Sequence, residues 1–165
     1  MFCDFLEDDE RDPEDATIIV KPSPMLYEAS TDLDFLKSRG YECMKYYNDE
    51  PKNTKKLELV LFNDALKHLL KITRILKQPR SSALLVGVGG SGKQSVTRLA
   101  AFIEKMDFKQ IELVKNYGEK DLKEDVKKYF EITGRFGKPC CFILTDAEIK
   151  KEDFLEFISM ILSTG

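Results

Sequence analysis

Ala83-Leu84-Leu85-Val86-Gly87-Val88-Gly89-Gly90-Ser91-Gly92-Lys93-Gln94-Ser95 is the stretch that decides the fold. Its first four residues are a short continuous apolar run, the mark of a strand buried on both faces. After the glycines a helical pattern starts at once, through Val96, Leu99, Ala100 and Ile103. A glycine-rich turn between a buried strand and a helix makes a nest of backbone N–H groups at the positive end of a helix dipole, where a polyphosphate can sit. Glycines are required there because the backbone must approach the phosphates closely and adopt angles that other residues avoid. Gly87 to Lys93 fits the G-x-x-x-x-G-K spacing of the Walker A loop, in which the lysine ammonium reaches the β and γ phosphates. A plain glycine-rich turn with a surface lysine would not need both flanking elements, and both are present.

Working outward, Ile111 to Val114 reads as a second strand and Asp121 to Thr133 as a second helix, with Leu122, Val126, Tyr129 and Phe130 as its apolar stripe and Gly134 and Gly137 as its end. Cys140 to Leu144 reads as a third buried strand closed by Thr145 and Asp146, and Phe154, Phe157, Ile158 and Ile161 mark a last helix. Strand and helix alternating in this way is the pattern of a parallel α/β sheet. Upstream, Leu59, Phe62, Leu66, Leu69, Leu70, Thr73 and Leu76 recur at three- and four-residue steps, which predicts a helix over Leu57 to Leu76, stopped by Pro79. Leu33 to Tyr47 fits a short helix, Asn48 to Lys56 a linker, and Met1 to Pro24 a loop or flexible arm.

At 165 residues and 19.0 kDa the chain has room for one domain or most of one. With 42% hydrophobic and 33% charged residues the composition is globular. The net charge of −3 is unevenly spread: eight of the twelve residues from Asp4 to Asp15 are acidic, and the remainder carries 25 bases against 21 acids. So weak and dispersed a surplus does not make a nucleic-acid footprint. No apolar run is long enough for a membrane helix, and the N-terminus is acidic where a signal peptide is basic then apolar, so the chain reads as intracellular. Cys3, Cys43, Cys140 and Cys141 have no paired metal-ligand spacing and read as reduced thiols, the last two pointing to opposite faces of one strand. His68, the one histidine, falls on the surface of a helical pattern.

The phosphate loop departs from its pattern in two places that bear on hydrolysis. The position after the lysine should be Ser or Thr, whose hydroxyl holds Mg²⁺; here it is Gln94, with Ser95 turned about 100° further around the helix. The partner motif is an apolar strand ending in an acid that holds the Mg²⁺ water shell, and Cys140 to Asp146 supplies it, with Asp146 as the metal-side carboxylate. Hydrolysing members of this class follow that acid with a glutamate base. Ala147 stands there, and a positioned base contributes roughly 10²–10⁴ in rate. Glu148 is one residue on and should point elsewhere. Both departures damage hydrolysis and spare the phosphate cradle.

The stretch LVLFNDALKHLLKITRILKQPRSSALLVGVGGSGKQSVTRLAAFI, Leu59 to Ile103, resembles the fourth AAA+ module of axonemal dynein heavy chains. The GVGGSGKQS loop, with its Gln94, is characteristic of that module, and KNYGEKDLKEDVKKYF from Lys115, LTDAEIKKEDFLEFISMILSTG from Leu144 and MFCDF at the start are similar to its other segments. Ser82 departs from the histidine often found there, and the acidic run from Glu7 to Pro24 lies outside the likeness.

The resemblance implies an α/β fold of the P-loop NTPase (AAA+) kind, three-layer α/β/α with a parallel sheet, incomplete at the C-terminus. Residues 1–56 would be an acidic, mostly irregular lead-in, and 57–165 the N-terminal part of the AAA+ domain, with Walker A at 87–95 and Walker B at 140–146. The implied nucleotide is ATP or ADP, held through Gly87, Val88, Gly89, Gly90, Ser91, Gly92, Lys93, Gln94 and Ser95, with weak Mg²⁺ at Asp146. It implies neighbouring AAA+ modules of one heavy chain, with dynein subunits and microtubules engaged only through the full-length motor, in the cytoplasm, cytoskeleton and ciliary axoneme, with no nucleic acid or membrane. In such a sheet a strand between the first and third strands comes later in the sequence than Gly165, so the isolated chain is expected to fold poorly. Two alternatives remain at this point. An independent small P-loop nucleotide kinase would need an arginine-rich lid, and after Lys93 only Arg98 and Arg135 are arginines. A truncated noncatalytic scaffold would differ mainly in nucleotide affinity.

Overall fold

Helices α1 (Leu33–Asp49), α2 (Asn63–Leu76) and α3 (Lys93–Ile103) pack into the main core of a computed structural model, which describes residues 1–11, 13–14, 19–21, 27–149 and 151–164. Leu36, Leu66, Leu69 and Leu99 are fully buried there, and Ala100 and Ala101 let α3 lie close to its neighbours. Asp32 caps α1, its carboxylate accepting from the N–H groups of Asp34 and Phe35 at 3.0 and 2.9 Å. A second, smaller core gathers Ile111, Tyr117, Leu122, Val126 and Phe154 between α4 (Glu119–Phe136) and α5 (Glu152–Thr164). Asp121 reaches back to the Gly118 N–H at 2.8 Å to start α4. The helix ends at Gly137 in the left-handed region, φ 62°, and Gly134 lies inside it rather than at its end.

Among the described residues the parallel sheet has two strands, β5 (Asp107–Gln110) and β6 (Cys140–Ile143), in register Asp107 to Cys140 and Gln110 to Ile143. The chain is thus mixed α/β with a small parallel sheet. Two expectations about strands are corrected. The second strand lies four residues before the predicted Ile111 to Val114, because pairing with β6 begins at Asp107, whose N–H donates to the Pro139 carbonyl at 3.0 Å. Leu113 and Val114 are left exposed beyond the ladder. Ala83 to Val86, predicted as a buried strand, forms no regular element and pairs with no strand among the described residues. Leu84 is 90% and Val86 86% exposed, and only Leu85 rests on the main core. An apolar run becomes a buried strand only when ladders form beside it, and among the described residues the β5–β6 ladder does not reach this segment.

A third correction concerns Leu57 to Phe62, predicted as the first turns of α2. The segment lies outside the helix, with Leu57 and Leu61 buried and Glu58, Val60 and Phe62 exposed, an alternation of period two that outweighs the coincidental helical spacing of Leu59 and Phe62. Asn48 holds it at one end, accepting from the Leu57 N–H at 2.7 Å and donating to the Leu57 carbonyl at 2.9 Å. Further along, the Leu61 N–H donates to the Tyr41 hydroxyl at 3.0 Å. Gly40 of α1 makes room for Leu61, since a Cβ there would lie 2.7 Å from its Cδ1.

The acidic N-terminus, expected as a loose arm, is tied down over residues 1–11, while much of 12–24 lies outside the described residues. Four short strands, β1 (Phe2–Cys3), β2 (Glu10–Arg11), β3 (Ile19–Lys21) and β4 (Glu28–Ala29), form antiparallel pairs β1–β4 and β2–β3. Cys3 and Phe5 enter the main core. The acids meet bases on three helical elements: Asp4 with Lys77 after α2, Asp8 with Arg39 of α1 at 2.9 Å, and Asp9 with Lys105 after α3 at 2.9 Å. Arg39, itself buried, also donates to the Phe5 carbonyl and to Glu42. Its hydrogen bonds hold the Asp8 carboxyl below the usual range.

Beside this strap Glu104, at the end of α3, has Oε1 buried without a hydrogen-bond partner among the described residues. Burial, and then the nearby Asp4 carboxylate, push its carboxyl up to about 7 against the opposing pull of Lys77. A carboxyl raised by folding contributes stability that is complete below its unfolded value and is lost as pH rises through about 7. Glu104→Gln should therefore be more stable than the wild type at pH 8, with the difference closing towards pH 4, as urea midpoints at the two pH values would record.

Candidate phosphate-binding site

The body of α3 is buried and its first turn is open, so the core fixes the direction in which the helix presents its N–H groups. Gly92 forms the N-cap in the left-handed region, φ 77°, and Gly90 has φ 75°. These are conformations that cost a side chain roughly 1–2 kcal/mol and that glycine adopts freely, and between them the Ser91 N–H donates to the Val88 carbonyl at 3.4 Å. The Gly92 carbonyl accepts the first helical bond from Val96 at 2.9 Å, and Thr97 back-bonds to the Lys93 carbonyl at 2.9 Å. Lys93 curls over the loop, its ammonium donating to the carbonyls of Gly87 and Val88 at 2.7 and 2.8 Å and to Ser91 Oγ at 3.1 Å. A Cβ added at Gly89 or Gly90 would meet nothing within 4 Å, so the ground above the loop is open. Leu59 supports it from beneath, its Cδ2 3.4 Å from where a Gly92 Cβ would stand.

Positive backbone dipoles, a lysine ammonium and clear space above glycines suit an anionic polyphosphate. The structure places the predicted residues Gly87 to Ser95 on one continuous turn and first helical turn, with Gln94 exposed and Ser95 half-buried. Asp146 and Ala147 are exposed in the turn that follows β6. The oxygen donors Gln94, Ser95 and Asp146 are of the hard kind that Mg²⁺ takes, with no histidine or thiolate among them. Among the described residues no group of three or more His, Cys, Asp or Glu forms a metal cluster.

Glu148 escapes the sequence reading as a structural residue. It is 5% exposed and turned away from solvent: its Oε2 accepts from the Thr145 N–H and hydroxyl, and its Oε1 from Gln110. The only signal for it in the sequence is an acid three residues after a threonine at a strand end. Cys140 and Cys141 carry free thiols pushed up by burial, Cys141 to about 11, so they stay protonated and inert. His68 is exposed on α2, as its helical position predicts.

Residues 57–165 match the family described as P-loop containing dynein motor region D4. The chain is 44% identical over 165 residues to dynein axonemal heavy chain 5 of Rattus norvegicus, covering 99% of this chain and 5% of that protein. It is 42% identical over 168 residues to dynein axonemal heavy chain 8 of Homo sapiens, covering 99% and 4%. It is 45% identical over 148 residues to the dynein gamma chain of the flagellar outer arm of Chlamydomonas reinhardtii, covering 89% and 3%. The chain thus spans about one twentieth of the length of these relatives. With 99% of the chain matched, the likeness extends into the acidic run from Glu7 to Pro24, which motif reading had set outside it.

The loop glycines divide into those the fold needs and those it does not. Gly92→Ala, forced into φ 77° against Leu59, should lose about 1 kcal/mol of unfolding free energy in urea titrations. Gly89→Ala, with open space around it, should leave that free energy within about 0.5 kcal/mol of wild type.

Proposed function

Because the chain belongs to the dynein heavy chain family and carries its D4 motor region, we propose that it holds a nucleotide and turns it over slowly or not at all. A P-loop of this family implies nucleotide binding in general. Our finer reading is ATP or ADP cradled by Gly87 to Ser95, with Lys93 leaving its carbonyl partners for the β and γ phosphates. Mg²⁺, held weakly, would be reached through Asp146 and its water shell. Residues 57–165 would be the first part of a three-layer AAA+ domain, and 1–56 the segment leading into it. The observation that carries the reading is the first turn of α3: two left-handed glycines, an ammonium and open space at the N-terminus of a helix whose body the core holds still.

Holding rather than hydrolysing is supported by Ala147 in the place of a base and Gln94 in the place of a magnesium-binding hydroxyl. Kinship with axonemal and flagellar heavy chains supports a larger setting. There the chain works beside other AAA+ modules of one heavy chain, in a microtubule motor of the ciliary axoneme, and affects the motor through the nucleotide it keeps.

Lys93→Ala should weaken binding of a fluorescent ATP analogue by at least about tenfold, the worth of one hydrogen bond to a charged group. Unchanged affinity would overturn the reading. On the second point, phosphate release by the wild-type chain should be negligible and should rise in a variant carrying Ala147→Glu with Gln94→Thr. Brisk wild-type release would refute the holding role.

A further inference from the structure

The turn that carries Asp146 is not free at its base. The Glu148 N–H donates to the Thr145 carbonyl at 3.0 Å, closing a four-residue turn with Asp146 and Ala147 at its two exposed central positions. The buried Glu148 carboxylate then folds back over this turn, Oε2 accepting from the Thr145 N–H at 2.5 Å and from its hydroxyl at 2.6 Å. Its other oxygen accepts from Gln110 Nε2 at 2.8 Å, at the last position of β5. Gln110 Oε1 in turn accepts from Arg98 Nη2 at 3.4 Å. Arg98 belongs to α3, five residues after Lys93, and its guanidinium lies 4.1 Å over the Phe108 ring of β5. A continuous polar chain therefore runs from the phosphate-loop helix, across the end of the sheet, to the turn of Asp146.

Every donor and acceptor in this chain has one consistent assignment. Arginine can only donate, so Gln110 must present its oxygen to Arg98 and its NH₂ to Glu148, and the carboxylate can only accept. A hydrolytic base at Glu148 would need an oxygen free to take a proton from water. Both oxygens here are occupied, and the side chain is buried.

Building on the reading of Gly87 to Ser95 and Asp146 as a nucleotide site, we propose that Arg98, Gln110 and Glu148 form a strut that positions Asp146, with Glu148 a positioning residue and not a stand-in for the missing base. The strut fixes where Asp146 stands relative to α3, so it acts on the magnesium-dependent part of nucleotide binding and leaves the phosphate cradle alone.

The test is titration calorimetry of the full chain with ADP, in Mg²⁺ and in EDTA. Glu148→Gln sets an amide NH₂ against that of Gln110. It should remove most of the gain in affinity that Mg²⁺ confers, with the affinity in EDTA unchanged. Adding Gln110→Glu reverses the polarity of the link: residue 110 then accepts from both Arg98 and the new amide, while the amide oxygen still accepts from Thr145. This double variant should recover the gain to within about twofold. Gln110→Met, which cuts the strut without touching the turn, should reproduce the loss and serves if Glu148→Gln fails to fold. Equal losses with and without Mg²⁺, no recovery in the double variant, or no Mg²⁺-dependent gain in the wild type would each overturn the strut. ADP binding to the wild type in EDTA would leave the nucleotide reading standing in all three cases, and its absence under both conditions would overturn the two together.

Discussion

Burial of α3 is the contact on which the rest depends. A glycine nest has no stiffness of its own, because the freedom that lets glycine adopt φ 75° and 77° also lets it leave those angles. The nest becomes a site only where its last residues continue into an immobile helix. Leu99, Ala100 and Ala101 supply that, fully buried against α1, α2 and β5. The two alanines matter as much as the leucine: small side chains bring the helices into close contact, and close packing resists displacement. Everything chemical at the loop is presented from the open first turn of this otherwise enclosed helix.

What the sequence disclosed follows from how local each signal is. The loop, α3, α4 and β6 were legible because spacing and glycine chemistry act over a few residues. The start of α2 was misread because Leu59 and Phe62 fit a helical period while Leu57, Leu59 and Leu61 fit a strand period, and only the Asn48 and Tyr41 hydrogen bonds decide between them. Ala83 to Val86 has the composition of a core strand, but burial belongs to the neighbours a segment finds and not to the segment. The N-terminal strap was invisible for a similar reason. Eight acids in twelve residues suggest self-repulsion and disorder, and the cations that neutralise three of them lie 31 to 96 residues away.

The site residues illustrate the same limit at finer scale. Motif spacing identified Gly87 to Lys93, and the fold gives those residues a shared surface. Spacing says that Glu148 points away from the position after Asp146, and it does not say what the side chain holds instead. Its partner Thr145 is local, three residues away, but Gln110 is brought to it by the pairing of β5 with β6, a contact between segments about thirty residues apart. Motif spacing thus names positions, while the partners a side chain finds emerge only in three dimensions.

The segment Leu57 to Phe62 touches both a helix and the loop. Leu61 is lodged in the notch that Gly40 leaves in α1, and two residues earlier Leu59 bears on the underside of Gly92. The segment joins no ladder among the described residues, and the Phe62 N–H closes a tight turn on the Val60 carbonyl at 3.1 Å, so it links the helix and the loop through the packing of these two leucines. Its far end is clamped to the end of α1 by Asn48, and α1 in turn is strapped to the acidic N-terminus by Arg39. The acidic N-terminus and the underside of the phosphate loop are therefore joined by one unbroken series of contacts, through Arg39, Asn48 and Leu59.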